Sequence, residues 1–234
     1  MSMYRRLSQL FVLCSALVLQ PAVAQEAEGK TDPWEGYNRA MFSFNDALDR
    51  AILKPVAKGY RFVMPDIAEK GVSNFFENLS DVGTMVNNLL QGKPDRAIVD
   101  FTRVLVNTTV GIGGLIDVAT AMDLPKHDED FGQTLGVWGL ESGPYLVLPL
   151  LGPSSLRDGV GLVPDFMLDP VQQVDDDEVR LALSLVRVID TRAGLLKAEE
   201  VISGDRYSFI RDAYMQRREF AVNDGELQFD PDDF

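Results

Sequence analysis

The amino-acid sequence predicts an all-α protein whose helices are separated by irregular segments rich in glycine and proline. Proline repeatedly marks the first turn of an apolar segment, at Asp32-Pro33, Lys54-Pro55, Pro65-Asp66 and Lys93-Pro94. Apolar residues then recur at helical spacing, and the two-residue alternation that is typical of a half-buried strand does not persist.

The first 24 residues have the pattern of a signal peptide. Arg5 and Arg6 precede an apolar run over residues 10–19, and Ala22-Val23-Ala24 provides the small residues expected before a cleavage site at Gln25. Cys14 is the only cysteine. Leu13 directly before it and the apolar run after it argue against acylation, so we predict ordinary cleavage after Ala24, with a lipid anchor at Cys14 as the alternative.

Five helices are expected in the first half of the mature chain. The first runs from Asp32-Pro33 to about residue 53, the second begins at Lys54-Pro55, the third at Pro65-Asp66, and the fourth follows Asn78 and stops at residue 92. The fifth begins at Lys93-Pro94 and ends at about residue 111. Its apolar face, which we expect to pack in a protein core, comprises Ala97, Ile98, Phe101, Val104, Leu105 and Thr108.

The second half of the chain is expected to be more irregular. Short helical pieces are predicted at about 115–121 and 131–137, followed by two longer helices at about 176–203 and 205–222. In the first of these, Arg180, Ser184 and Arg187 form one narrow polar stripe. Protein core is therefore expected on most sides of this helix, with lipid or a partner as the alternative. Residues 25–222 are predicted to form one domain, and 223–234 a flexible acidic tail.

The net charge argues against a nucleic-acid partner. The full chain carries −14, and loss of the two positive charges of Arg5 and Arg6 with the signal peptide leaves −16. The same charge argues against loose electrostatic docking on anionic lipid. No mature segment reaches the roughly 20 continuous apolar residues of a spanning helix.

Catalytic and metal-binding patterns are weak, and we predict no catalytic residue, no metal and no cofactor. His127 is the only histidine, and with the adjacent Asp128 it suggests a solvated acidic turn more than a metal site. A nucleophile elbow needs serine at the middle position of GxSxG, whereas Ser142 is the fourth residue of GLESG. The turn at 111–114, GIGG, lacks the third glycine of a nucleotide-binding loop.

An uncharged segment between Glu141 and Arg157 is the most unusual part of the sequence. It is apolar and broken by glycine and proline, so it fits neither an amphipathic helix nor a regular strand. Together with the many aromatic residues of the chain, it makes an interfacial or lipid-handling surface plausible. Its membrane-contact candidates are Leu146, Leu148 and Leu151.

Several ordered blocks resemble the MlaA/VacJ family. They include DPWEGYNRAMFSFND (32–46), KPVAKGYRFVMP (54–65), VSNFFENL (72–79), NNLLQGKP (87–94), FTRVLVNTTVGIGGLIDVA (101–119) and DFGQTLGVWGLESGPYLVLPLLGPSSLRDGVG (130–161). The resemblance extends to RDAYMQRREF (211–220) and so covers nearly all of the mature chain.

This resemblance implies a flat, ring-shaped bundle of helices in the periplasmic leaflet of the outer membrane, with a central amphipathic channel. It implies retrograde transport of phospholipid from the outer leaflet to a periplasmic MlaC-like carrier, association with a trimeric porin, and no catalytic chemistry. On this basis the candidates for the channel wall are Asn38, Phe42, Phe44, Asn45, Gly113, Gly114, Leu115 and Ile116. At each position, a purely structural role in holding helices together is the alternative.

Two other functions remain open from the sequence. A soluble periplasmic carrier that encloses an acyl chain would not insert into a membrane, and an esterase would act on lipid through Ser142. The irregular apolar segment favours membrane insertion over an enclosing pocket, which is usually built from regular elements.

Overall fold

A computed structural model describes residues 32–197 and 204–226. The predicted signal peptide with Cys14, residues 198–203 and most of the predicted acidic tail lie outside this range. The helices are α1 (Glu35–Leu48), α2 (Lys54–Val63), α3 (Asp66–Leu90), α4 (Pro94–Thr109), α5 (Val118–Ala121), α6 (Phe131–Val137), α7 (Leu156–Leu168), α8 (Asp177–Gly194) and α9 (Arg206–Val222). A π-helical turn, Asp49–Leu53, joins α1 to α2, and a 3₁₀ turn, Pro170–Gln173, follows α7.

The all-α prediction is confirmed. Within the described ranges, the strands are β1 (Tyr145–Leu148) and β2 (Gly152–Ser155), which form one antiparallel hairpin. Tyr145 pairs with Ser155, and Leu148 pairs with Gly152 next to the turn. The hairpin and α7 were not predicted, because glycine and proline in this segment obscure both regular patterns.

Two of the predicted helices are one. The segments expected to begin at Pro65 and after Asn78 form the single 25-residue helix α3. The inward-facing residues of α3, which recur at spacings of three and four positions, are mostly polar. A search for apolar periodicity therefore divides this helix into two segments. Helix α3 packs along α4, α2 packs on α8, and α6 packs on α7.

A small aromatic core surrounds the hairpin. Tyr145 and Val147 of β1 are buried against Tyr207 of α9, and Met41, Phe42, Tyr214 and Met215 pack around them. The Phe42 and Tyr207 rings meet edge to face at 5.8 Å between centroids, a favourable aromatic geometry. This core therefore joins α1, the hairpin and α9.

Candidate functional site

The distribution of polar and apolar side chains is inverted relative to a protein surrounded by water. Phe62 is 91% exposed and Ile67 is 84% exposed, whereas Asn87 and Asn88 are fully buried. Large apolar side chains are exposed on α1, α2, α3, α4, α7 and α8. Buried polar groups normally need partners and exposed apolar area normally marks a binding surface, so both halves of this pattern need an explanation.

Helix α4 shows the inversion most clearly, and the prediction that its apolar face lies in a protein core is wrong. Ile98, Phe101 and Leu105 are all at least half exposed. The face buried against α3 instead presents Asp100, Arg103 and Asn107, together with Ala97 from the edge of the predicted apolar face. The amphipathic period was identified correctly, but the side of the helix that faces the protein is the polar one.

The prediction that protein covers most of the circumference of α8 is also wrong. Its apolar residues Val179, Leu181, Leu185, Val186 and Val188 are exposed. The predicted polar stripe of Arg180, Ser184 and Arg187 is partly buried and continues into buried Asp190. The stripe therefore faces the rest of the protein, and Arg187 Nη1 donates to Asp169 Oδ2 at 2.8 Å.

One buried ion cluster lies between α3, α4 and α5. Arg103, only 1% exposed, donates from Nη1 to the Leu124 carbonyl at 2.7 Å and from Nη2 to both Asp117 carboxylate oxygens at 3.2 Å. Its Nε lies 3.6 Å from Asp81 Oδ2. Burial raises the pKa of Asp81 to about 6, although the charges of Lys126 and Arg103 oppose this rise.

A second ion cluster joins α6, α7 and α9. Arg218 donates from Nη2 to Asp130 Oδ1 at 2.8 Å and to Asp158 Oδ1 at 2.9 Å, and the Tyr214 hydroxyl donates to Asp158 Oδ2 at 2.7 Å. Burial by itself raises the pKa of the Asp158 carboxyl. The hydrogen bonds from Arg218 and Tyr214 outweigh this effect, so the pKa lies below its usual value.

Asp165 of α7 is held where α3 and α6 meet. It accepts from the Phe131 backbone N–H at 2.9 Å and from Asn87 Nδ2 at 3.4 Å. Burial raises its pKa to about 6, and the nearby charge of Asp130 adds to the rise. Thr134 donates to Asn87 Oδ1 at 2.8 Å, which extends this polar contact into α6.

Two of the predicted channel residues on α1 fix the hairpin. Asn38 is fully buried, donates to the Tyr145 carbonyl at 3.0 Å and accepts from the Val147 N–H at 2.8 Å. Asn45 donates to the Leu148 carbonyl at 2.9 Å and accepts from the Leu150 N–H at 2.8 Å. Both amides therefore act as supports for backbone groups.

The aromatic pair predicted with them is divided. Phe42 packs in the aromatic core, whereas Phe44 is 49% exposed. Of the membrane-contact candidates, Leu146 and Leu148 are half-buried and Leu151 is exposed beside Leu150 at the hairpin turn. Leu150 was not selected from the sequence, although it has the same residue type and lies next to Leu151.

The glycine turn at 113–116 lies on another part of the protein, against α3. Gly113 and Gly114 both have positive φ, and a side chain at Gly114 would clash with Asn78 at 2.9 Å. Asn74 donates to the Leu115 carbonyl at 3.0 Å. Leu115 and Ile116 remain 44% and 50% exposed, so the turn is anchored through its backbone and presents its apolar side chains outward.

The weak catalytic patterns have structural explanations. His127 Nδ1 lies 2.7 Å from Asp100 Oδ1, and Asp100 also accepts from Asn88. Ser142 Oγ is buried and has no hydrogen-bond partner within residues 32–197 and 204–226, so no base is positioned to activate it. In the same ranges, no cluster of three or more potential metal ligands is found.

Sequence reasoning missed the buried polar face of α3. Asn78, Asp81, Thr84, Asn87 and Asn88 all point inward, at spacings that fit one side of a helix. This periodicity was visible in the sequence, but polar residues at helical spacing are usually taken as a solvated face. Among the described helices, none is both long enough and apolar enough to cross a membrane.

Comparisons with known proteins agree with the motif blocks. A family model described as "MlaA lipoprotein" matches residues 30–221. The chain is 40% identical over 230 residues to the "Intermembrane phospholipid transport system lipoprotein MlaA" of Escherichia coli strain K12, covering 95% of this chain and 91% of that protein. The protein of the same name from Haemophilus influenzae is 34% identical, with 93% and 91% covered.

A solved structure also resembles the fold. It is described as "Structural basis for maintenance of bacterial outer membrane lipid asymmetry", and the chain matches it with a TM-score of 0.73 and 40% identity. The match covers 83% of this chain and all of the solved chain.

Proposed function

This chain belongs to the MlaA lipoprotein family, and we propose that it is the outer-membrane component of an intermembrane phospholipid transport system. In this role it maintains outer-membrane lipid asymmetry by removing phospholipid from the outer leaflet and passing it to a periplasmic carrier. The names of the relatives support the transport system, and the description of the solved structure supports the role in lipid asymmetry.

The inverted burial pattern is the observation that carries this proposal. Exposed apolar faces on α2, α4, α7 and α8 suit contact with acyl chains, which would remove from water the side chains that a soluble protein would bury. Because no described helix can span a bilayer, insertion into one leaflet accounts for the apolar surface better than crossing does.

The buried polar groups of α3 bear on the route of the lipid headgroup. The Oδ1 atoms of Asn78 and Asn88 on α3 are buried and accept no hydrogen bond within the described ranges. Such acceptors are unfavourable unless a polar group reaches them. We propose that the headgroup passes along the polar face of α3, beside the glycine turn that packs against Asn78.

The partners follow from the same proposal. The transported molecule is a phospholipid, the receiving protein is a soluble MlaC-like carrier, and the membrane support is a trimeric porin. The proposed location is the periplasmic leaflet of the outer membrane. A lipid that moves by diffusion along an amphipathic path needs neither a nucleophile nor a metal, so we propose that the protein is not an enzyme.

A soluble lipid carrier is the less favourable alternative. A carrier shields the acyl chain inside and presents a polar exterior, whereas here Phe62, Phe166 and Met167 are all more than 60% exposed. An esterase acting through Ser142 predicts loss of lipid transport in Ser142→Ala, whereas the transport proposal predicts little change.

Deletion of the gene, followed by an assay of phospholipid in the outer leaflet, tests the proposal. We expect accumulation of outer-leaflet phospholipid and sensitivity to detergent, both reversed by the wild-type gene and by Ser142→Ala. Normal outer-leaflet composition and normal detergent resistance in the deletion strain would exclude this function.

A further inference from the structure

A polar groove of about 480 Å³ lies where α2 meets α3. Residues of α2, of α3 and of the segment after α8 line it. Its charged residues are Arg61, Asp66, Glu69, Lys70, Glu77 and Lys197.

Some of these charges are already paired within the protein. Arg61 Nε lies 3.5 Å from Glu69 Oε1, and Lys126 pairs with Glu77. Lys70, Lys197 and Asp66 are exposed and form no ion pair within the part of the chain that the structure describes. Two ammonium groups and one carboxylate are therefore available to a ligand in the groove.

Exposed apolar side chains occur on both helices that line the groove and on the turn that Asn74 holds. Ile67, next to Asp66, is 84% exposed, and Phe62, next to Arg61, is 91% exposed. Asn74 lines the groove and donates to the Leu115 carbonyl, so the exposed apolar turn of Leu115 and Ile116 lies close to it. A polar depression close to exposed apolar side chains matches the division of a phospholipid into headgroup and chains.

We propose that this groove binds the headgroup of a phospholipid that carries both a phosphate and a primary ammonium group, such as phosphatidylethanolamine. Lys70 and Lys197 bind the phosphate, Asp66 binds the ammonium, and the acyl chains lie over Ile67 and Leu115. An anionic lipid without an amine leaves Asp66 without a partner and brings it close to like charge, so the groove discriminates against it. This inference rests on the proposed function, and it names the headgroup that the groove favours.

Lipid retention measures this preference directly. The full chain is purified in detergent, exposed to an equimolar mixture of phosphatidylethanolamine and phosphatidylglycerol, and the bound lipids are counted by native mass spectrometry. For Lys70→Gln/Lys197→Gln we expect about tenfold less phosphatidylethanolamine, because two charge-assisted contacts to the phosphate are lost. For Asp66→Asn we expect the ratio of phosphatidylethanolamine to phosphatidylglycerol to fall by about threefold, a change of ratio that unfolding would not produce.

Lys58→Gln is the matched control, because Lys58 is an exposed lysine of α2 outside the groove. It should retain both lipids as the wild type does. Unchanged retention in the double variant, or an equal loss in Lys58→Gln, would overturn the inference. Displacement of the lipid by millimolar inorganic phosphate as complete as by phosphatidylethanolamine itself would indicate a general phosphate site and also overturn it.

The assay of outer-leaflet phospholipid distinguishes failure of this inference from failure of the proposed function. If the wild-type gene fails to restore asymmetry to the deletion strain, the proposed function fails. If the wild-type gene restores it while the double variant retains lipid normally, the function stands and only the headgroup site is excluded.

Discussion

Arg103 illustrates, at the scale of single residues, how this protein keeps charge in its interior. The guanidinium reaches Asp117, Thr120 and the Leu124 carbonyl, and Asp81 lies on its remaining side. A buried charge is tolerated when its partners are fixed in this way, and loss of one partner leaves the others uncompensated. The same reasoning applies to Arg218 between Asp130 and Asp158.

Replacement of Arg103 by leucine should lower the free energy of unfolding by about 3–5 kcal/mol, because buried Asp81 and partly buried Asp117 lose their counter-ion. Thermal unfolding in detergent measures the change. Arg217→Leu is the control, since the Arg217 and Asp128 side chains are 79% and 85% exposed and such pairs contribute about 0–1 kcal/mol. Equal effects of the two substitutions would contradict the assignment of Arg103 to a buried ion cluster.

Asp165 gives a prediction for pH. Its pKa is raised to about 6 in the folded protein, above the ordinary value near about 3.9 in the unfolded chain. The folded state therefore binds the proton more tightly. The stability from this protonation is fully present below about pH 4 and is lost as the pH rises through about 6.

Asp165→Asn should accordingly raise the melting temperature at pH 8 and leave it nearly unchanged at pH 4. The asparagine removes the buried charge near Asp130 and keeps an oxygen that accepts from the Phe131 N–H. Allowing for the part of the carboxyl that water reaches, the gain at pH 8 is about 1 kcal/mol, or about 2–4 °C. A melting temperature gain that is the same at both pH values would exclude titration of Asp165 as its cause.

At the scale of elements, the sequence predicted where most helices begin but not which side of them faces the protein. Pro55, Pro65 and Pro94 marked helix starts correctly, because the missing N–H and fixed φ of proline are readily accommodated where a helix begins. Orientation was wrong for α4 and α8, because the usual rule assumes water outside. The hairpin depends on Asn38 and Asn45, more than 100 residues away in sequence, and local patterns contain no such information.

The exposed face of α4 tests the inversion. The triple variant Ile98→Gln/Phe101→Gln/Leu105→Gln should change the free energy of unfolding in detergent by less than about 1 kcal/mol, because these side chains have little protein around them. If the face were core, each substitution would be expected to cost about 2–5 kcal/mol. Binding of the same variant to vesicles, measured by flotation, should fall, since apolar area is lost from the lipid-facing side.

Asp95→Asn is a suitable control on the same helix, because Asp95 is exposed in the first turn of α4 and changes neither face. It should leave vesicle binding unchanged. A large loss of stability in the triple variant, with unchanged vesicle binding, would show that this face of α4 packs in a protein core.

At the scale of the whole molecule, family membership and the inverted surface support each other. An all-α fold with exposed apolar faces and buried ions is unfavourable in water and favourable where lipid covers the outside. The flat ring and the central channel that the resemblance implies stay predictions, as do the individual channel residues. The structure adds that Asn38 and Asn45 support the hairpin, whereas Phe44, Leu115 and Ile116 present apolar surface.

The exposed apolar surface also predicts how the protein is attached to the membrane. The relatives are named lipoproteins, and the one cysteine of this chain, Cys14, lies outside the described residues. The exposed apolar faces of α2, α4, α7 and α8 do not depend on an acyl anchor. The larger contribution to membrane attachment should therefore come from these faces.

Cys14→Ser should therefore remain in the outer-membrane fraction after cell lysis and washing with high salt. The triple variant of α4 in the Cys14→Ser background should be released at least in part, because one apolar face is lost and no acyl anchor can form at residue 14. Fractionation and immunoblotting measure the distribution. Release of Cys14→Ser alone into the periplasmic extract would show that the anchor, and not the apolar surface of the helices, holds the protein at the membrane.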